Sequence, residues 1–485
     1  MKSLAQILVN LNYQLIKGDL SQLVSTVEID SRLMKDKGVF IAIKGLAADG
    51  HDYIEKAIGL GATAIIFEVR PEVLQDHVTY VQVENSRAVT GLIASRFFDQ
   101  PSEKLALIGV TGTNGKTSVV QMSHRLFSRL GYKSGMLSTI ENKIGDEILP
   151  ASLTTPDAVS LQKMLAKMVA EKCEYAFMEV SSHALDQFRV NGCHFKIAVF
   201  TNITHDHLDY HGSFSQYIKA KKLFFDGLAP DSFALINLDD RNAEVMVQNC
   251  AATVVSYALK KASAYKGKIL DNTSQGLHLV IDGVEVHSQI VGSFNASNLL
   301  AVYAIARIAG QEKIDVLTNI SSLSSPPGRM EAIKNPKRNV VAFVDYAHTP
   351  DALQNVLQTI NEIKNNDQEV ITVIGCGGNR DALKRPVMAK IASQFSDRVI
   401  LTSDNPRFED PDQIIREMEA GIPDEGRKST LSITNRREAI KVACALAAEG
   451  AIILVAGKGH ENYQEIKGVR NAFDDREILR EYFVS

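Results

Sequence analysis

Nine residues, Gly109-Val110-Thr111-Gly112-Thr113-Asn114-Gly115-Lys116-Thr117, bring together the types that a polyphosphate site needs. Closely spaced glycines let backbone N–H groups approach phosphate oxygens, and a helix N-terminus just beyond adds partial positive charge. Lys116 can reach the terminal phosphates, and the Thr117 hydroxyl can ligate Mg²⁺. The commoner G-x-x-x-x-G-K-[ST] spacing would place glycine at Val110, so this turn is the shorter G-T-N-G-K-T. Weighed against a tight turn bearing a surface lysine, the pattern points to ATP held by Gly112, Thr113, Asn114, Gly115, Lys116, Thr117 and Ser118.

Two later stretches supply metal-binding types. Phe177-Met178-Glu179 leads into Val180-Ser181-Ser182-His183, so Glu179 would project from the carboxyl end of a strand. Ala198-Val199-Phe200 leads into Thr201-Asn202-Ile203-Thr204-His205-Asp206-His207-Leu208-Asp209-Tyr210-His211. Such a His/Asp run invites a zinc reading, but there is no H-E-x-x-H and no cysteine partner. Oxygen-rich ligation beside a phosphate turn favours Mg²⁺. Tyr217 to Phe225 reads as a helix with Lys219, Lys221 and Lys222, which taken alone is a solvated lysine face.

Further on, Gly292 to Asn298 reads as a turn opening a helix from Leu299 to Ala309. Asn298, in its first turn, could read an adenine edge or simply cap the helix. Ser325-Pro326-Pro327-Gly328-Arg329-Met330-Glu331 reads as a rigid turn and domain junction.

The elements that must position these residues alternate between strand and helix. The spacing predicts strands at Leu105–Val110, Val39–Ile43 and Ala62–Phe67, and helices at Thr117–Leu130 and His51–Leu60, with Phe98 to Ser102 as a linker. Past about residue 332, strands at Val340–Asp345, Glu369–Gly375, Arg398–Ser403 and Ile452–Ala456 alternate with helices. That pattern implies a doubly wound parallel sheet with ligands at the strand carboxyl ends. Those ends carry Asp345-Tyr346-Ala347-His348, Gly375-Cys376-Gly377-Gly378-Asn379-Arg380, Asp404-Asn405-Pro406-Arg407 and Gly457-Lys458-Gly459-His460-Glu461. Four polar loops on one edge mark a site.

At 485 residues, the chain has room for roughly three α/β domains. The expected division is 1–100, a small α/β domain; 101–331, a central phosphate-loop domain with a mostly parallel sheet; and 332–485, a Rossmann-like domain. Apolar residues make up 45% and charged residues 23%, as in ordinary globular proteins. A net charge of −4 argues against a nucleic-acid binder. The five scattered cysteines suit free thiols in a reducing compartment. No apolar run approaches the ~20 residues that span a bilayer, and the amino terminus has no signal-peptide core. A cytoplasmic monomer that binds neither nucleic acid nor membrane is expected.

Taken in order, G-T-N-G-K-T, E-V-S-S-H, N-x-x-x-D-H-L-D-x-H, the G-R-x-E turn, D-Y-A-H and G-K-G-H-E resemble the Mur ligases over essentially the whole chain. These are ATP-dependent amide-forming enzymes of peptidoglycan synthesis. The chain is most similar to the subgroup that joins the third residue of the stem peptide to UDP-MurNAc-L-Ala-D-Glu. The resemblance implies that the first domain binds the uridine nucleotide, the second ATP and the third the incoming amino acid. It implies Thr117 and Glu179 as Mg²⁺ ligands, His207 at a second Mg²⁺, and Lys221 as a carbamylated lysine serving the metals. Ser31 would contact the uridine nucleotide, and Thr154, Thr155, Ser181, Gln187 and Arg189 the muramoyl peptide. Arg329 would meet phosphate, while Asn298, Asp345 and His348 would hold the nucleoside.

The implied reaction forms an acyl phosphate from the substrate carboxylate and ATP, which the amine of the incoming amino acid then attacks. A carboxylate and a phosphate 4 Å apart repel by about 4 kcal/mol at an effective dielectric of about 20. Mg²⁺, Lys116 and Arg329 would cancel that repulsion, and closure of the third domain would exclude water. The D-N-P-R form is associated with meso-diaminopimelate, whose second carboxylate suits the planar fork of Arg407. Arg380, Asp404, Asn405, Pro406, Gly457 and Glu461 would complete that pocket, with Glu461 pairing the distal ammonium. Addition of L-lysine, a folylpolyglutamate-synthetase-like ligase, and a nucleotide switch without ligase activity are the alternatives.

Overall fold

The structure is a computed structural model that describes all residues except Leu46, Ala47, His205, His207 and Ser485, and the side chains of Leu208, Asp209 and Val484. The chain divides into two compact units, Met1–Tyr257 with Ala304–Gly310, and Ala258–Tyr303 with Gln311–Ser485.

The first unit opens with a five-stranded sheet in the order Gln14–Lys17, Thr79–Gln82, Ala62–Phe67, Gly38–Ile41, Thr26–Glu28. Only its Gln14–Lys17 edge is antiparallel. Val39, Ile41, Ala64, Ile66 and Val81 bury one face and Phe40, Ile65, Phe67 and Tyr80 the other, as strict alternation on a two-sided core requires. The helix expected at His51–Leu60 starts later. A 3₁₀ turn at Gly50–Tyr53, tied by the Asp49 carboxylate to His51 N, precedes an α-helix at Ile54–Gly59.

Phe98 to Ser102 is not a slack linker. Pro101 and Ser102 are buried, and Ser102 Oγ accepts from His194 N at 2.9 Å. Beside it the helix Ser86–Phe97 meets the 188–194 segment backbone to backbone. A Cβ on Gly91 would lie 2.0 Å from Asn191 O, and Asn191 Nδ2 donates to Ala88 O at 3.1 Å.

A further run of strands follows the order Glu147–Pro150, Glu141–Ile144, Ser134–Leu137, Tyr175–Glu179, Ala106–Thr111, Ile197–Phe200, Phe233–Asn237, Thr253–Ala258. From Ser134–Leu137 onward they are parallel. The strand feeding the phosphate turn is therefore central, between Tyr175–Glu179 and Ile197–Phe200, and all three carboxyl ends share one edge.

In the second unit Tyr265–Thr273, Gly276–Ile281 and Val284–Ser288 form an antiparallel meander. A six-stranded sheet follows in the order Glu331–Asn335, Val340–Asp345, Ile452–Ala456, Val370–Ile374, Arg398–Leu401, Thr430–Ser432. It is parallel apart from its first strand and has an apolar core on each face. The Arg436 guanidinium, wholly buried, binds both Asp475 oxygens at 2.8 Å and Ala456 O at 3.0 Å. It thereby fixes the end of the strand that leads into Gly457.

The helix expected from Leu299 begins earlier, spanning Ser293–Ile308. The side chains of its polar first turns satisfy one another: Asn295 Nδ2 donates to Val291 O at 2.8 Å and Asn298 Nδ2 to Asn295 Oδ1 at 3.0 Å. Asn298 is thus a buried helical residue rather than a cap. No helix among the described residues is long and apolar enough to cross a membrane, and all five cysteines are free.

Candidate active site

The strand Ala106–Thr111 runs into the phosphate turn and the helix Lys116–Arg129 leaves it. Val110 is buried within the strand, so the turn proper begins at Gly112 and needs no earlier glycine. Gly112 has φ +151°, and a Cβ there would lie 1.9 Å from Thr201 Oγ1. Only glycine fits.

The neighbouring strand end braces the turn. Thr201 Oγ1 donates to Asn114 O at 2.6 Å, Asn114 N donates to Asn202 Oδ1 at 2.9 Å, and Thr113 N donates to Asn202 O at 2.9 Å. Thr113 Oγ1 accepts from Thr204 N at 3.0 Å and meets Tyr217 OH at 3.1 Å. Thr113 and Asn114 therefore spend their N–H groups on holding the turn. The helix opens at Lys116, and its first turn, with Thr117 and Ser118, is where backbone N–H groups face an anion. Thr117 and Ser118 are buried at this end.

Lys116 Nζ folds back onto Gly112 O and Thr113 O, both at 2.8 Å. Lys221, on the helix Phe214–Asp226, is not on a solvated face: it is buried, with Nζ 2.9 Å from Gly112 O and 4.7 Å from the centre of the Tyr217 ring. Burial, reinforced by the charge of Lys116, holds its amine well below the usual lysine range against the opposing pull of Asp206. Among the three lysines of this helix, geometry singles out Lys221.

Glu179 ends the strand Tyr175–Glu179, in register with Val110, and is buried. Its Oε1 accepts from Thr139 N at 2.8 Å. Among the described residues no group of three or more His, Cys, Asp or Glu gathers as a metal cluster. The Thr117 hydroxyl and the Glu179 carboxylate are hard oxygen donors, which suit Mg²⁺ with phosphate and water completing its shell. His207 lies outside the described residues.

The residues expected to hold the muramoyl peptide converge on Thr155, whose Oγ1 donates to Glu179 O at 2.8 Å and accepts from Ser181 N at 3.1 Å. Arg189 binds Thr155 O at 2.9 Å and Gln187 Oε1 at 2.7 Å, while Thr154 Oγ1 accepts from Thr139 Oγ1 at 3.1 Å. Ser31 is buried in a 3₁₀ turn capped by Asp30, within the amino-terminal sheet region.

In the second unit, Arg329 stacks 4.6 Å over the Tyr346 ring, which also meets His348 at 4.6 Å and His460 at 5.0 Å. Asp345 accepts from Met330 N at 2.7 Å and Ala347 N at 2.8 Å, which ties the G-R-M-E turn to D-Y-A-H. Burial raises the Asp345 carboxyl, and the Arg329 charge opposes that shift. His348 is exposed, and burial beside Arg329 and Arg476 pushes His460 down to about 3.

Asp404, Asn405 and Pro406 are buried and pack with Gly457 and Glu461. Asn405 Nδ2 donates to Glu461 Oε2 at 2.8 Å. Lys458, which the sequence shows only within the G-K-G-H-E stretch, is central: its fully buried Nζ binds Asn405 Oδ1 and Glu461 Oε2, both at 3.1 Å, and lies 3.9 Å from Asp404. Glu461 is thus already paired within the protein. Arg407, at φ +53°, donates from NH1 to Gly378 O at 2.7 Å, and Arg380 is exposed on the adjoining loop.

Comparison with known proteins follows the same order along the chain. The Mur ligase family, catalytic domain, matches residues 23–98; the Mur ligase middle domain, 110–306; and the Mur ligase, glutamate ligase domain, 328–459. A UDP-N-acetylmuramoyl-L-alanyl-D-glutamate--2,6-diaminopimelate ligase of Cytophaga hutchinsonii is 54% identical over 459 residues, 94% of each chain. One of the same description from Phocaeicola vulgatus is 50% identical over 470 residues, 97% of each. A solved structure of such a ligase is 34% identical, covers 99% of this chain and 98% of its own, and superposes with a TM-score of 0.73.

Proposed function

The chain belongs to the Mur ligase family, and we propose that it is the ATP-dependent ligase that adds meso-diaminopimelate to UDP-MurNAc-L-Ala-D-Glu in peptidoglycan precursor synthesis. The observation that carries the substrate is the charged side chains on the loops that include Arg407. Arg407 lies three residues beyond Asp404, and buried Asp404 and Lys458 stand with the half-buried Glu461, so these loops carry both signs of charge. A diamino diacid presents both signs. Lysine would set an ammonium against the Arg407 fork.

The phosphate turn would bind ATP through the N–H groups opening the helix Lys116–Arg129, with Lys116 countering phosphate charge. Mg²⁺, where bound at Thr117 and Glu179, and at His207, would withdraw charge from the phosphates. Burial shifts the Lys221 amine toward its neutral form, whose lone pair would attack CO₂; the N–C bond forms and a proton leaves to solvent. The resulting carbamate would put oxygen donors where a cation otherwise stands. In this reading Asn298, Asp345 and His348 hold the nucleoside and Arg329 a phosphate. Thr154, Thr155, Ser181, Gln187 and Arg189 orient the peptide, and Ser31 meets the uridine nucleotide. The domains divide this work as 1–100, 101–331 and 332–485.

The test is phosphate release from ATP with UDP-MurNAc-L-Ala-D-Glu and diaminopimelate, lysine or no amino acid. Release that requires the dipeptide and diaminopimelate together supports the proposal. Equal release with lysine overturns the substrate, and release without the dipeptide overturns the ligase reading.

A further inference from the structure

Arg407 occupies a left-handed backbone conformation that a non-glycine residue keeps only where its surroundings impose it. Asn379, on the loop that Arg407 binds, does the same at φ +52°. Two loops must therefore be held in register for the fork to point correctly. Direct bonds stitch them: Gly378 N donates to Asn405 O at 2.9 Å, Phe408 N to Asn379 Oδ1 at 3.1 Å, and Asn379 N to the Glu409 carboxylate.

One buried group reaches both loops. Arg385, near the start of the helix Lys384–Phe395, has a side chain only 2% exposed. Its NH2 donates to Glu409 Oε2 at 2.8 Å and, at 3.4 Å, to Gly377 O, while NH1 donates to Glu417 Oε2 at 2.7 Å. Glu409 sits two residues past Arg407, Gly377 precedes the loop that accepts from Arg407, and Glu417 lies on the helix Pro411–Glu419. A planar guanidinium fixes the relative directions of its partners in a way an ammonium cannot.

We propose that Arg385 is a positioning residue for the incoming amino acid: through Glu409 and Gly377 it sets the register of the two loops and thereby aims Arg407. This rests on the reading of Arg407 as the carboxylate fork. Arg385 itself does not touch substrate. Its second ion pair, to Glu417, anchors the same guanidinium to a helix rather than to the loop, and so provides an internal control.

The experiment measures KM for diaminopimelate, ATP and UDP-MurNAc-dipeptide, kcat, and thermal midpoints for Glu409→Gln, Arg385→Lys, Glu417→Gln and Arg407→Ala. Glu409→Gln and Arg385→Lys are expected to raise KM for diaminopimelate about tenfold or more, with the other two KM values and kcat within about threefold. Glu417→Gln is expected to lower the thermal midpoint but leave KM for diaminopimelate within about twofold. Should Arg407→Ala raise that KM while Glu409→Gln does not, the positioning role is overturned and the fork stands. A parallel rise of all three KM values in Glu409→Gln would also overturn it, as a general loss of structure. An unchanged KM in Arg407→Ala would remove the fork itself.

Discussion

Lys116 and Lys221 donate to one acceptor, their Nζ atoms lying 2.8 and 2.9 Å from the carbonyl oxygen of Gly112. Burial, with the Lys116 charge adding to it, holds the Lys221 amine well below the usual lysine range. A neutral lysine is the form that takes up CO₂. Lys221→Ala is expected to lower kcat by about 100-fold or more, and Lys221→Arg, permanently charged, to do no better. Protein equilibrated with ¹³C-bicarbonate should show a carbamate carbon resonance that Lys221→Ala lacks.

Arg407 meets the substrate in the proposed function, so its loss should act on one substrate alone. Arg407→Ala is expected to lower kcat/KM for diaminopimelate by about 100-fold or more, matching a charged hydrogen-bonded pair lost at a site. Nucleotide affinity, read by titration with ADP, should stay within about twofold.

The buried pair Arg436–Asp475 makes a stability test, read by unfolding and not by activity, because Arg436 also holds Ala456 O at the strand end before Gly457. Arg436→Met leaves the Asp475 carboxylate buried without its partner, and about 3–5 kcal/mol of stability should be lost. Replacing both, as Arg436→Met with Asp475→Leu, should recover much of that in urea unfolding. A double variant as unstable as the single one would show that the pair contributes mainly through packing.

His460 offers a pH test whose sign is fixed. Its folded-state value of about 3 lies below the ordinary 6.5, so the folded protein keeps it neutral where the unfolded chain binds a proton. Stability therefore falls as pH drops from about 6.5 toward 3, with a slope from this group of at most about 1.4 kcal/mol per pH unit. Between pH 7.5 and 5.0 the wild type should lose more stability than His460→Gln, measured by urea midpoints. Equal losses would place the acid sensitivity elsewhere.

The phosphate turn was legible because its chemistry is local. An apolar run, Gly112, Gly115, Lys116 and Thr117 are contiguous, and the structure sets the strand Ala106–Thr111 and the helix Lys116–Arg129 around them. Lys221 was legible only through resemblance, since helix periodicity says nothing about a carbonyl 109 residues away. Lys458 and Arg385 have no local signature for the same reason: each is defined by partners that the fold brings together, Asn405 for one and Glu409 with Glu417 for the other. The polar start of the helix Ser293–Ile308 misled because Asn295 and Asn298 bond within the helix instead of breaking it.

At Gly91 and Asn191, main chain touches main chain with no side chain between them. The amino-terminal hundred residues are consequently not a detachable module. Limited proteolysis near Gln100 should find no slack tether, and a homologous segment grafted in its place would have to bring its own glycine to that crossing.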